Sequence, residues 1–551
     1  MRIRPCLGWF LAYTAAFAVL AGFVFWGTWS LDVAPVMPDC PVTYPKRWMA
    51  DWFAGFLRSG KFNPDDVKVF LASPYFWQEL QYAFAMWCSG LGLAYFCRGR
   101  GLSLPACYGG GLLLAFCGYW ASLFSAGHLG WFRWMTYGTF AFGLADRAIR
   151  KGKAKNWLLL GACLAWGSMY QPDLWLLFTI FTAVYFIYRT ISSSLALPSG
   201  TQGRFWRRWT IGGLMALAAM TAIGSASFRN AFVSDLASRD KQIERGETLG
   251  KDAASDPQKA RWVFTTNWSM PPEDTLEFIR PGVHGDTSCP ISLALAGRFR
   301  TGLAPYTGRL GRPLGASEGN YRQHSLYVGL VTCLLALLGI AISAVRMVKD
   351  RSRVDFVVRD VAFFAISALV FWMFSLGRFL EPVYYWTVYQ LPFGDSLRAP
   401  VKWHHLTEFC IAVLAAYGID ALLRTEWLKA RAWTKWLVLA VVLVGAFDLA
   451  RVDKRHCLPL DVKSARRTGM NANFTFIPTQ QFTNPQVADM VRRGYIMPLA
   501  SYPGRQDVML VEVLEPRDPV KLPPVDGLVL SLGIISILAT IGVAAYGVKK
   551  S

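Results

Sequence analysis

The sequence predicts an all-α polytopic membrane protein of about 12 transmembrane helices, with small α/β insertions outside the membrane. Apolar stretches of about 17–25 residues recur along the chain, which is the length that spans a bilayer as a helix. Hydrophobic residues make up 54% of the 551 residues, above the roughly 45–50% that is typical of soluble proteins. The stretches are continuously apolar rather than alternating, which favours helices over a membrane barrel.

Basic residues concentrate in the short loops between these stretches. The chain has 57 Lys and Arg against 36 Asp and Glu, a formal net charge of +21. Cytoplasmic loops of membrane proteins are rich in Lys and Arg, so this charge follows from topology and predicts no nucleic-acid partner. It also suits an anionic lipid phosphate, which Arg and Lys bind through charged hydrogen bonds.

The first apolar stretch sets the orientation of the chain. Arg2 and Arg4 precede it and are expected to stay in the cytoplasm, while its length predicts a retained helix rather than a cleaved signal. Lys549 and Lys550 follow the last stretch, so both termini are predicted to be cytoplasmic. The spans are expected at about 6–29, 78–96, 104–124, 131–144, 157–169, 174–188, 209–227, 325–345, 361–376, 406–423, 436–449 and 528–546.

Two long polar segments divide the chain into modules. The expected organisation is an N-terminal seven-helix module, a first extracytoplasmic domain, helices eight to eleven, a second extracytoplasmic domain and a last helix. The first outer loop, 30–77, belongs to the N-terminal module. The boundaries of the five modules are 1–227, 228–323, 324–450, 451–526 and 527–551.

Two of the outer segments carry local structure signals. Pro45 and Gly60 frame the segment 46–58, whose aromatic and aliphatic residues recur at helical spacing. This pattern is typical of a helix lying on a membrane surface. A second short helix is expected to begin at 64–66, with two acids at its positive end. In the second outer domain, the alternation at 508–514 predicts a strand.

Motifs of soluble enzymes are absent from the sequence, including the P-loop, the nucleophile elbow and the zinc-protease helix. Polar residues collect instead at the outer ends of the predicted spans. If the spans pack as a bundle, these ends border one cavity. The candidates for that cavity are Asp32, Asp39, Asp51, His128, Gln171, Asp173, Arg378, Arg398, Lys402, His404 and His405.

The acids and cations of this set each have a chemical and a structural interpretation. Asp39, with Asp32 as the runner-up, is either a general base for an acceptor hydroxyl or a solvated loop acid. Arg378, Arg398 and Lys402 either hold a lipid-linked phosphate or extend to lipid headgroups.

The other candidates are open in the same way. His128 follows a glycine and either binds substrate or caps a helix end. Gln171 and Asp173 lie in an outer turn, where the helix dipole alone favours an acid. His404 and His405 are adjacent and therefore do not readily face one metal along a helix. We expect no metal site and no cofactor; a divalent ion is not indicated.

Three cysteines, Cys40, Cys289 and Cys457, fall in the predicted outer segments. A disulfide between two of them is compatible with that location, but their spacing does not select a pair. Most of the other cysteines lie in or beside apolar spans, where they are most simply small buried hydrophobic residues.

Four ordered stretches resemble a known family. They are the acid, Tyr-Pro and Leu-Arg-Ser-Gly pattern at 39–60, the Gly-His pair at 127–128, the Pro-Pro-Glu-Asp segment within 268–282, and the series Leu-Gly-Arg, Leu-Pro, Leu-Arg-Ala-Pro and Gly-Ile-Asp at 376–420. In this order they are similar to the YfhO-like bacterial membrane proteins, within the GT-C superfamily of polyprenyl-phosphate-sugar-dependent glycosyltransferases. The resemblance implies a GT-C fold with a catalytic acid in the first outer loop, a position that Asp39 occupies.

The resemblance also implies a function and a location. We expect a hexosyltransferase of the bacterial inner membrane that moves a sugar from a polyprenyl-phosphate donor to a glycan or lipid acceptor, in contact with membrane lipids. Asp39 would deprotonate the acceptor, while Arg378 and Arg398 stabilise the leaving phosphate.

Two alternatives remain open from the sequence. The first is a lipid or glycan transporter or flippase, which is expected to carry ionisable residues deep inside its spans. The predicted spans instead carry their charges at the ends, which ranks this alternative second. The other is a non-catalytic membrane scaffold for envelope assembly, which the large outer segments suit.

Overall fold

The computed structural model describes most of the apolar part of the chain. The segments between the described ranges include large parts of the predicted outer domains. The described residues are 5–26, 33–35, 48–61, 74–118, 129–169, 172–195, 198–230, 256–284, 325–349, 356–391, 394–426, 433–456, 459–461, 474–478, 488, 491–492, 496–502, 505–513 and 522–549.

Helices dominate the described structure. Apolar side chains at helical spacing bury one or more faces of each helix against its neighbours. The helices are α1 (Pro5–Val24), α2 (Trp48–Ser59), α3 (Pro74–Gly99), α4 (Leu104–Ala115), α5 (Leu129–Lys151), α6 (Ala154–Ser168), α7 (Pro172–Leu195), α8 (Gln202–Asn230), α9 (Pro257–Thr266), α10 (Leu330–Lys349), α11 (Phe356–Ser375), α12 (His404–Arg424), α13 (Thr434–His456) and α14 (Gly527–Lys549).

Each of the twelve predicted spans contains one of these helices. Among the described residues, seven helices are long and apolar enough to cross a membrane, which supports a multi-pass helical membrane protein. That the helices in the remaining five spans also cross stays a prediction. The seven candidate spans are Pro5–Val24, Leu174–Ser194, Gln202–Asn230, Leu330–Val348, Phe356–Ser375, Pro400–Arg424 and Gly527–Tyr546.

Helix α5 is longer than its predicted span, which ended at Leu144. The polar sequence after that residue suggested a loop, but the helix continues to Lys151. Asp146 lies within this extension and is fully buried, because three arginines surround its carboxylate. The ion pairs therefore allow helix to persist where composition alone predicted a solvated turn.

The helix predicted at 46–58 is confirmed as α2. Its last turn packs against the end of α8 and the start of α14: Asn230 donates a hydrogen bond of 2.7 Å to the Ser59 carbonyl. Gly60 follows with φ +64°, and an added Cβ would meet the Val529 carbonyl oxygen at 2.6 Å. A glycine is required here by both conformation and space. The short helix expected at 64–66 lies outside the described residues.

Two small sheets join segments that are distant in sequence. Strand β1 (Val33–Pro35) pairs antiparallel with β2 (Pro459–Asp461), which brings the first outer loop to the segment that follows α13. The second sheet has the order β3-β5-β4 and is antiparallel throughout. Its strands are β3 (Phe474–Pro478), β4 (Ile496–Tyr502) and β5 (Arg505–Val513), and β5 confirms the strand predicted near 508–514.

Helix α12 forms the centre of the bundle, with almost every side chain from His404 to Ala421 buried. Its closest neighbour is α10, against which it packs through glycines. A Cβ added to Gly418 would lie 2.0 Å from the Leu335 carbonyl oxygen, and one added to Gly339 would lie 2.8 Å from that of Leu414. Small residues thus let the two backbones touch, as is common between membrane helices.

Candidate functional site

The two ends of α12 define the two ends of the bundle. We call them the His404 end, where α12 begins, and the Arg424 end, where it finishes. The ends of α11 and α13 also lie at the His404 end, together with α9 and the loop that precedes α12. All of these segments are predicted to face outward, so the structure brings together polar residues that the sequence had grouped.

Arg378 is anchored by the loop that follows α9. Its Nε and Nη2 donate hydrogen bonds of 3.1 and 3.0 Å to the Thr266 carbonyl, and Nη2 also donates to Asn267 Oδ1 at 2.9 Å. Its backbone N–H donates to Ser269 Oγ at 3.0 Å. The side chain is half-buried. Neutral oxygens therefore hold this guanidinium in place without removing its positive charge.

Arg398 lies over aromatic rings of the same segment. Its Cζ is 4.0 Å from the Trp268 ring centroid and 4.8 Å from that of Phe264. Both distances are within the range of a cation–π interaction. Arg398 is half-buried, like Arg378. The two predicted phosphate ligands are thus attached to one short segment, 264–269, which we call the arginine platform together with Arg378 and Arg398.

The platform is fastened to the loop before α12 by backbone hydrogen bonds. Ala399 N–H donates to the Thr265 carbonyl and Val401 N–H to the Trp268 carbonyl, both at 3.2 Å. Trp268 and Ala399 have φ values of +59° and +65°, which side chains other than glycine rarely adopt. Among the described residues they are the two non-glycine positions with positive φ. A strained backbone conformation persists where surrounding contacts hold it in place, and it is often found at functional sites.

Aromatic residues flank the platform. The Trp262 ring lies edge-on to Tyr384, Tyr385 and Tyr389, with centroid distances of 6.3, 5.6 and 5.1 Å. Tyr385 and Tyr389 stack on each other at 5.4 Å within a π-helical turn. Burial raises the pKa of Tyr384 and Tyr389, so their phenols stay neutral hydrogen-bonding groups. Such a run of aromatic side chains is also typical of the belt at a membrane interface.

Beneath the platform lie Lys402, His404 and His405, all buried. The His404 Nε2 and His405 Nδ1 atoms each lie 3.5 Å from an oxygen of Glu408, one turn further along α12. The Phe278 ring is tilted against the His404 ring, with the two centroids 4.6 Å apart. These residues therefore form an internal layer, whereas Arg378 and Arg398 are partly open to the surroundings.

The other predicted site residues are placed only in part. Asp51 lies in α2. Asp173 lies in the first turn of α7, where the sequence predicted an acid that the helix dipole favours. The remaining candidates, Asp32, Asp39, His128 and Gln171, lie outside the described residues, as do Cys40, Cys289 and Cys457. Val33, the residue after Asp32, pairs with Asp461 in the sheet of β1 and β2.

Two acids inside the bundle were not predicted to be buried. Glu408 and Asp420 lie within the predicted span 406–423, and both are buried. The expectation of spans free of internal charge is therefore wrong. The available signal was the acid four residues after His404, which puts both side chains on one helical face.

A second group of buried charges lies at the Arg424 end. Arg100 Nε and Nη2 both lie 2.6 Å from Asp360 Oδ2, and Nη1 lies 2.9 Å from Asp146 Oδ1. The hydroxyls of Tyr188 and Tyr417 donate to Asp360 at 2.9 and 2.8 Å. This network joins α3, α5, α7, α11 and α12, and we interpret it as a structural clasp.

Comparisons with known proteins add no assignment. No family model matches the chain, and no match is found among curated proteins or solved structures.

Proposed function

We propose that the protein is a membrane glycosyltransferase, which moves a sugar from a polyprenyl-phosphate donor to a glycan or lipid acceptor outside the cytoplasm. The observation that carries this proposal is the arginine platform. It presents two half-buried guanidinium groups on one segment at the His404 end of the bundle. A lipid-linked phosphate is the anion that a membrane-embedded basic site of this kind would meet.

The chemistry of the platform suits a leaving phosphate. Guanidinium groups bind phosphate oxygens through paired hydrogen bonds, and charge that develops on the leaving group is stabilised best by donors already in position. Arg378 is positioned by Thr266 and Asn267, and Arg398 by Trp268. In this proposal the two arginines bind the polyprenyl phosphate as it leaves the sugar.

The base in this proposal is Asp39, in the first outer loop. It would remove the proton from the acceptor hydroxyl as that oxygen attacks the anomeric carbon. Strand β1 ends four residues before Asp39, and its pairing with β2 tethers the first outer loop to the segment after α13. Since α13 ends at the His404 end, this pairing supports a location of the loop on the platform side of the bundle.

The test is sugar transfer by the full chain in lipid vesicles that contain a polyprenyl-phosphate sugar. Replacing Arg398 by Gln is expected to lower the transfer rate about 10²–10³-fold, as loss of one charge-stabilising donor does. Arg261→Gln is the matched control, because Arg261 lies in α9 but pairs with Asp395 at 2.8 Å. Equal rates in both variants would remove the platform from the mechanism.

Buried Glu408 favours the transporter alternative, because acids inside a membrane bundle often belong to an ion or substrate path. The same vesicles separate the two functions. A transferase leaves the sugar on the acceptor, whereas a flippase moves the donor lipid between leaflets with its sugar still attached.

A further inference from the structure

Asp453, near the end of α13, is a buried acid that the proposed transferase does not use. Its side chain is 2% exposed, and among the described residues neither carboxylate oxygen has a hydrogen-bond partner. An ionised carboxylate in such a place loses its hydration without replacement. The group is therefore stable only if it carries a proton or faces something that supplies positive charge.

A second buried carboxyl lies on the neighbouring helix. Glu408 of α12 is 1% exposed, α12 contacts α13, and the two acids are near enough for their charges to interact. Two carboxylates that share a dry site cannot easily both be ionised, because their negative charges repel one another. The arrangement of lowest free energy is therefore one in which the pair binds a single proton.

Two histidines extend this pair along α12. His404 and His405 each face one oxygen of Glu408 at 3.5 Å, and both rings are buried. Among the described residues, the charges of two further titratable groups interact with the cluster: Lys402, beside His405, and Cys117, after α4. Buried series of acids and histidines are typical of proton-binding sites in membrane proteins.

We propose that Asp453 and Glu408 form a buried proton-binding site, with His404 and His405 as the groups that exchange its proton. The proton comes from the surrounding water, forms an O–H bond with one carboxylate and leaves the other ionised. This site goes beyond sugar transfer and does not depend on it, because none of its four residues belongs to the arginine platform.

Infrared spectroscopy of the purified full chain in lipid nanodiscs tests the site. At neutral pH the protein is expected to show the C=O band of a protonated carboxylic acid, with the small shift that H₂O-to-D₂O exchange causes. Asp453→Asn and Glu408→Gln are each expected to remove or displace this band. Asp448→Asn is the control on the same helix, because Asp448 already pairs with Arg451 at 2.9 Å.

Three results of the infrared experiment would reject the proposed site. Absence of a protonated-acid band at neutral pH in the wild-type protein would overturn the proposal. So would a band that persists unchanged in both Asp453→Asn and Glu408→Gln. If one variant fails to fold, as judged by its thermal unfolding, the other decides, because each removes one member of the same pair. A band that also disappears in Asp448→Asn would place the proton elsewhere on α13 and reject the site.

Discussion

Asp360 Oδ2 lies 2.6 Å from Nε of Arg100, and the side chains of both residues are almost completely buried. Asp360 belongs to α11 and Arg100 directly follows α3, so a charged pair joins the ends of helices that are distant in sequence. Removing one partner of such a pair leaves the other charge buried without full compensation. The clasp at the Arg424 end is therefore expected to be sensitive to the loss of either partner.

Asp360→Asn is therefore expected to destabilise the protein by about 3–5 kcal/mol. The measurement is thermal or denaturant unfolding of the full chain in detergent. Asp526→Asn is the control: Asp526 is exposed, pairs with Arg229 at 3.7 Å and caps α14, a role that Asn also fills. Its effect should stay below about 1 kcal/mol. Similar losses in the two variants would show that the clasp adds nothing to stability.

Gly418→Ala tests the contact between α10 and α12. The new Cβ would lie 2.0 Å from the Leu335 carbonyl oxygen, so the helices must separate, which we expect to cost about 1–3 kcal/mol. Gly213→Ala in α8 meets no atom within 4 Å and should be neutral or stabilise by up to about 1 kcal/mol. Comparing the midpoints of unfolding decides the matter, and a stabilised Gly418→Ala variant would contradict the packing described.

Arg378→Lys tests the anchoring of the platform. Lysine keeps the charge but cannot reproduce the fork that binds both Thr266 and Asn267. We expect transfer from the polyprenyl-phosphate donor to fall at least about 10-fold, because the phosphate then meets a misplaced cation. The thermal midpoint of the same sample serves as the folding control. Full activity in this variant would mean that charge alone, without orientation, suffices.

Asp39→Asn tests the proposed base. Asparagine has nearly the shape of aspartate but does not accept a proton, so transfer should be abolished while expression is unchanged. Asp32→Asn is the matched variant in the same loop and should retain most of the activity. Retained transfer in Asp39→Asn would eliminate this residue as the base, and the reverse pattern would move the role to Asp32.

Helix positions could be predicted from the sequence because long apolar stretches have few alternatives inside a membrane. The helix in 46–58 and the strand near 508–514 followed from spacing alone. The end of α5 could not be predicted, because the burial of Asp146 depends on Arg100 and Arg189, which are distant in sequence, as well as on Arg150 one turn away. The composition of the sequence around Asp146 does not predict pairing with residues that are distant in the chain.

The candidate site was predictable only as a set of residue types at one end of the bundle. Arg378 and Arg398 were identified as a pair, since cations in an outer loop are conspicuous. The segment that holds the two arginines was not predicted, because the interaction of Trp268 with Arg398 depends on a backbone conformation that is unfavourable for tryptophan. Glu408 was overlooked because it lies inside an apolar stretch, where a single acid changes the average hydropathy very little.

Pairing of β1 with β2 has a consequence for biogenesis. The first strand emerges early in synthesis, but its partner follows α13 and is made only when most of the chain has left the ribosome. Contacts between such distant segments form late, since the intervening chain must first be ordered. A protein truncated before α13 would therefore insert its early helices yet leave the loop of Asp39 without its partner strand. Assembly of this loop thus reports that synthesis has passed α13 and β2.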